Sequence, residues 1–200
     1  MRIATTEYLD AIAHLPNGAA LRADDVPWEQ YEELLAKLYA VRVFYDGGRM
    51  EFIAPTFHHE RAAAILKTLA FALCDELDLD LECLGSSTFR SQWKAKGAEP
   101  DDERDPPPDI VVETELTSAS LDKFPIYAAL GVPEIWRERK KVVRFYVLGG
   151  ASYVEVPNSR AFPFLDSVSL SEFLMIGLAE GSRKAARAFR GWVREHHPAT

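Results

Sequence analysis

Acids dominate the middle of the sequence. Glu99-Pro100-Asp101 is followed by Pro106-Pro107-Pro108-Asp109 and then by Ile110-Val111-Val112-Glu113-Thr114-Glu115. Strand side chains alternate with period two, so Asp109, Val111, Glu113 and Glu115 share one face and Ile110, Val112, Thr114 and Leu116 the other. Ile110 and Val112 belong in a core. Glu113 and Glu115 then stand as like charges at the end of an apolar strand, where they repel unless a cation or a basic side chain joins them. A hard divalent ion such as Mg²⁺ or Mn²⁺ takes carboxylate oxygens and waters. It activates a bound water and stabilises charge on a phosphate. Asp101 is placed to approach Glu113 from the preceding strand or loop. Lys123, ten residues after Glu113, brings an ammonium for the water or the developing phosphate charge. Glu60 offers one more carboxylate. Solvated acids at a strand end and in a loop fit the same spacing, and residue types alone leave both readings open.

Two further groups have two readings each. His59 is either a hydrogen-bond partner of a site carboxylate or a polar residue at a helix start. Glu115 is either an acid that supports the site from behind or the ion-pair partner of Lys123. Glu60 is favoured near a helix N-terminus with or without metal. The sequence contains no CxxC, no HExxH and no glycine-rich phosphate loop with a lysine, so zinc-hydrolase and nucleotide-triphosphate sites are unsupported and no nucleotide cofactor is expected. Ser118 and Ser120 have no glycine-flanked nucleophile elbow, and Ser120 reads as a helix cap.

The net charge is −8, which argues against a protein that coats nucleic acid without specificity, because phosphate neutralisation needs Lys and Arg. Basic residues gather at 137–144 and at 183–194, and the second stretch reads as a helix with either a solvated or a DNA-facing side. No apolar run reaches the length of about 18 residues that a membrane span needs. The N-terminal residues contain Glu7 and Asp10 and do not form a secretion signal. Cys74 and Cys83 read as reduced fillers, and a cytoplasmic location is expected.

These residues need a scaffold. The pattern predicts an irregular lead-in over 1–26, a helix over 27–40, and a hairpin around Asp46-Gly47-Gly48-Arg49. It predicts a long helix over 58–78, with Ala62, Ile65, Leu66, Leu69, Leu73 and Leu77 on one side. Strands follow at 79–85 and 87–93, then a polar break over 94–108. The clearest strand is 110–116. A short helix over 121–130 ends at Gly131, a three-stranded meander runs over 134–156, and helices are expected at 169–180 and 182–195. One domain over 1–200 with a mixed sheet flanked by helices is the simplest arrangement.

The segments EPDD, PPPDIVVETELTSASLDKFPIYAALGVPEIW, VVRFYVLGGASYVEV and SRAFPFLDSVSLSEFL resemble the Uma2 family of the PD-(D/E)XK restriction-endonuclease-like superfamily. The hairpin YDGGRMEFIAP and the helix HHERAAAILKTLAFAL fit as well, so the resemblance spans roughly residues 25–195. It implies a restriction-endonuclease-like α/β fold. Asp101 matches the family's first metal-binding aspartate and Glu113 the second acid. Lys123 matches a basic residue on the short helix. The superfamily's usual base lies two positions after the acid, where this chain has Glu115. Glu60 matches the acid of the first core helix, and His59 the histidine four residues after Pro55. Only eleven residues separate Asp101 from Glu113, among them Asp102, Glu103, Arg104 and Asp105. Relatives carry a longer insert with an aromatic strand there. Asp101 is therefore expected in a loop, and Asp109 is the alternative ligand, although about 13 Å separates it from Glu113 on an extended strand.

The resemblance implies a metal-dependent endonuclease that hydrolyses DNA phosphodiester bonds with a water activated by Mg²⁺ or Mn²⁺, leaving a free 3′-hydroxyl. A homodimer would supply two sites for two strands. The acidic net charge and the short segment favour an alternative: a catalytically weakened or inactive nuclease-fold binding or regulatory module. A metal-dependent hydrolase of a non-DNA substrate is the third reading, because a fold does not determine a substrate.

Overall fold

A computed structural model describes residues 3–38, 41–54, 56–81, 88–91, 96–99, 107–114 and 122–197, with backbone alone at 58, 59, 88–91 and 96–99. The chain is an α/β fold whose residues group into two compact units, each with its own core.

The first unit comprises Met1–Thr56, Leu84–Pro107 and Leu116–Val132. Its five-stranded antiparallel sheet has the order β1-β3-β2-β5-β4, from β1 (Ala20–Ala23), β2 (Arg42–Asp46), β3 (Arg49–Ile53), β4 (Thr88–Ser91) and β5 (Lys96–Glu99). Gly47 and Gly48 both adopt positive φ, 54° and 95°, so the β2–β3 turn takes the two-residue form that matches strand twist. Val43, Tyr45, Met50 and Phe52 point to one face by alternation, and there they meet Tyr8 and Ile12 of α1 (Thr5–Ala13) and Trp28, Tyr31 and Leu34 of α2 (Trp28–Leu35).

Three expectations are corrected in this unit. The lead-in is not irregular: α1 and β1 lie within it, held because Tyr8 and Ile12, four apart, complete the core. The polar break contains β5, although Lys96-Gly97-Ala98-Glu99 has poor strand propensity. Its backbone is paired on both sides, with β2 and β4, and pairing overrides local preference. The cap position of the short helix α4 (Phe124–Leu130) is held by Lys123 and not by the expected Ser120, which lies outside the described residues, and Asp122 Oδ1 accepts from Phe124 N at 3.2 Å.

The second unit comprises Phe57–Cys83, Pro108–Glu115 and Pro133–Thr200. Its four-stranded mixed sheet runs β6-β7-β8-β9, from β6 (Ile110–Thr114), β7 (Glu134–Arg139), β8 (Val142–Gly149) and β9 (Ser152–Val156). The β6–β7 pair is parallel and the others antiparallel. Helices α3 (Phe57–Glu76), α5 (Ser167–Glu180) and α6 (Ser182–His196) cover one face. There Leu66, Leu69 and Leu73 of α3 join Trp136, Phe145, Phe173 and Phe189. Gly177 lets α5 close on α3, since a Cβ there would stand 2.5 Å from Ile65 Cγ2. Ile110 packs on this core as expected. Val112 stays 36% exposed, because β6 is the edge strand of the described sheet. The expected strand at 79–85 is absent over its described part, 79–81. Cys74 is a free, buried thiol pushed up by that burial.

Candidate functional site

Glu113 is the fourth residue of β6 and is buried, with 7% of its surface accessible. Its strand neighbours Val112 and Thr114 face the opposite way by alternation, so Glu113 stands on the sheet face away from the helices. The parallel register sets Glu113 against Arg137 of β7, and Arg137 against Arg144 of β8. Paired residues share a face, so an acid and two guanidiniums lie in one row across three strands, about 4.8 Å between neighbouring strands. Tyr146 and Glu155 continue this face. Burial and the Glu155 carboxylate push the Tyr146 phenol up, while Arg137 and Arg144 pull it down, consistent with cations close by. Arg144 also holds Glu155 at 3.2 Å.

The opposite face of the same strands buries acids for another purpose. Glu134 is 1% exposed and accepts from Trp136 Nε1 at 2.7 Å and Ala161 N at 2.9 Å. Glu138 is 7% exposed and accepts from Lys141 N at 2.6 Å. Neutral N–H donors to these carboxylates fix the chain around them.

In the first unit Lys123 is buried at the start of α4. Its Nζ lies 4.1 Å from the centroid of the Phe44 ring, well within cation–π reach. Phe44 is in register with Glu51, and Glu51 with Arg22, so Lys123 shares a sheet face with the Glu51 carboxylate. Glu51 is wholly buried and accepts from Arg22 Nε at 3.0 Å. On the same face Asp46 accepts from Arg49 at 2.7 Å.

Of the expected site residues, Glu113 and Lys123 are buried, Glu60 is exposed in the first turn of α3, and Asp109 is exposed just before β6. Asp101 and Glu115 lie outside the described residues, as does the side chain of His59. Among the described residues no three His, Cys, Asp or Glu side chains come together in a metal-binding group. Two residues escaped the sequence. Glu51 had a legible signal, an acid inside the apolar stretch Met50-Glu51-Phe52-Ile53. Arg137 beside Glu113 had none, because register is set by pairing rather than by spacing.

The family model described as "Uma2: Putative restriction endonuclease" matches residues 28–188. No curated protein matches the chain.

Proposed function

The chain belongs to the Uma2 family, and on that premise we propose that it is a nuclease-fold module that engages DNA with cleavage weakened or lost. The carrying observation is the cation beside the acid. Glu113, the family's second acid, has Arg137 as its in-register neighbour on the same buried-to-open face. A guanidinium there neutralises the carboxylate and competes with a divalent ion for it. The described residues contribute one buried carboxylate from the expected ligand set, which does not by itself fit a metal centre.

A second reading is the metal-dependent endonuclease itself, with Asp101, Glu113 and Glu60 as ligands of Mg²⁺ or Mn²⁺ and Lys123 as the water-positioning base. The burial of Glu113 favours it, because carboxylates are rarely buried without a task or a partner.

Calorimetric titration of Mn²⁺ and Mg²⁺ into the wild type and Glu113→Ala, with plasmid-nicking assays in parallel, separates the two. The module predicts duplex binding without metal-dependent turnover, and no loss of duplex binding in Glu113→Ala. Metal-dependent nicking that vanishes in Glu113→Ala would establish the enzyme.

A further inference from the structure

The β7–β8 hairpin carries Arg137, Arg139, Lys140, Lys141 and Arg144 in a chain of net charge −8. Arg139, Lys140, Lys141 and Arg144 are exposed and Arg137 is half-buried. The single acid of this segment, Glu138, is turned inward, where its carboxylate accepts from Lys141 N at 2.6 Å. Arg144 is met by Glu155 of β9 at 3.2 Å, and Lys140 and Lys141 carry the segment's positive charge outward at the turn. Within this unit it borders the face on which Arg137 stands beside Glu113.

The turn itself is held in a costly form. Lys140 and Lys141 both take left-handed backbone, φ 53° and 66°, at the two central positions of a tight turn. Asn and Gly dominate such positions because a Cβ is penalised there. Two lysines give up that ease, and the surroundings hold them in place: Glu138 clamps one side and Ser171 Oγ accepts from Val143 N at 2.8 Å on the other. A rigid turn that projects ammonium groups loses less side-chain and backbone freedom when it meets a charged partner. Strand geometry adds regularity, since Arg137 and Arg139 follow one another at about 6.6 Å on one face.

We propose that the β7–β8 hairpin is a phosphate-contact element that docks on the backbone of duplex DNA. The inference rests on the reading that the chain engages DNA, and adds which surface does so. Phosphate contact is the chemistry that rewards clustered Lys and Arg without base reading, and it makes affinity depend steeply on salt.

The test removes charge without harming the turn. Lys140→Gly/Lys141→Gly replaces both side chains with the residue that prefers positive φ, so the melting temperature should equal or exceed that of the wild type. Binding of a short fluorescein-labelled mixed-sequence duplex is followed by anisotropy between about 50 and 200 mM salt. The double variant should bind on the order of tenfold more weakly, with the slope of log K against log salt reduced by about 2. Unchanged affinity and slope in a variant whose parent binds the duplex would overturn the hairpin as the contact while leaving DNA engagement intact. No duplex binding by the wild type at the lowest salt would overturn DNA engagement itself, and the hairpin's role with it. Retention of the wild type on anionic vesicles, with no duplex binding, would assign the hairpin to a membrane surface and equally overturn the proposal.

Discussion

The hairpin at 137–144 and the helix α6 look alike as sequence, two basic stretches in an acidic chain, and the structure treats the lysines of the hairpin turn and the last arginines of α6 differently. In α6 three of the five Lys and Arg side chains are met by acids of the same unit. Arg190 pairs with Asp75 and with Glu76 at 3.1 Å, Arg194 with Glu76 at 2.6 Å, and Lys184 with Glu180 at 3.0 Å. The hydrogen bond from Arg194, with Arg190 in support, outweighs desolvation and holds the Glu76 carboxyl below its ordinary range. In the hairpin Arg144 is met by Glu155 of β9, while the acid within the segment, Glu138, faces inward and accepts from the Lys141 backbone N–H. What separates Lys140 and Lys141 at the turn from Arg190 and Arg194 in α6 is where the nearby acids point.

The largest effect should come from reversing the hairpin's charge. Lys140→Glu/Lys141→Glu is expected to lower duplex affinity on the order of a hundredfold at low salt, since repulsion replaces attraction. Arg190→Ala should leave affinity within about twofold, because its guanidinium is already engaged, and should lower the melting temperature instead. Anisotropy and thermal melting on the same samples check both. A larger affinity loss in Arg190→Ala than at the hairpin would invert the comparison.

Next in size is the architecture beneath the hairpin. Glu134→Ala removes the acceptor for the buried Trp136 Nε1 and the part-buried Ala161 N, and should cost about 2–3 kcal/mol. Glu138→Ala strips the clamp from the turn and should cost about 1–2 kcal/mol, with duplex affinity reduced in proportion to the loosening of Lys140 and Lys141. Glu138→Gln keeps an acceptor and should retain most of that affinity. Urea denaturation and anisotropy measure both quantities.

Much of this scaffold was legible from residue pattern. The hairpin glycines, the long helix, the strand carrying Glu113 and the two closing helices follow from periodicity and turn chemistry, which act locally. β5 did not, because a Lys-Gly-Ala-Glu strand exists only through neighbours that pair with it on both sides. α1 was missed for a similar reason: nine residues make a marginal helix alone, and Tyr8 and Ile12 gain their worth only in the core. Glu113 and Lys123 were singled out by type and spacing, and each is buried in its own unit. Arg137 and the inward turn of Glu138 depend on which strands meet in which register. A basic run was visible in the sequence, but whether its acid would shield it was not.

The N-cap of α5 tests an acid of the third kind, one that serves a helix end. Burial raises the Asp166 carboxyl, but hydrogen bonds from Ser169 Oγ and from the Ser169 and Val168 backbone outweigh it and hold the group below its ordinary value. Asp166→Ala should cost about 1 kcal/mol at neutral pH. A depressed folded pKa stabilises above the unfolded value and loses that contribution as pH falls through the folded one. The gap between wild type and variant should therefore close below about pH 4, which melting at stepped pH would show. A gap that stays constant would mean that the cap acts through packing rather than through charge.

The smallest effect bears on the comparison most directly. Glu76 sits between Arg190 and Arg194, and Glu76→Gln removes the charge that holds both while keeping an acceptor of similar shape. If the acids of α3 are what keep α6 from acting as a contact surface, the variant should melt slightly lower and bind duplex DNA about twofold more tightly. Its salt slope should steepen by less than one contact, because Asp75 still engages Arg190. The gain should persist in the Lys140→Gly/Lys141→Gly background if the freed guanidiniums meet phosphate on their own. A gain that disappears there would mean that helix and hairpin touch the same duplex together, and that the acids of α3 tune a surface which the hairpin anchors.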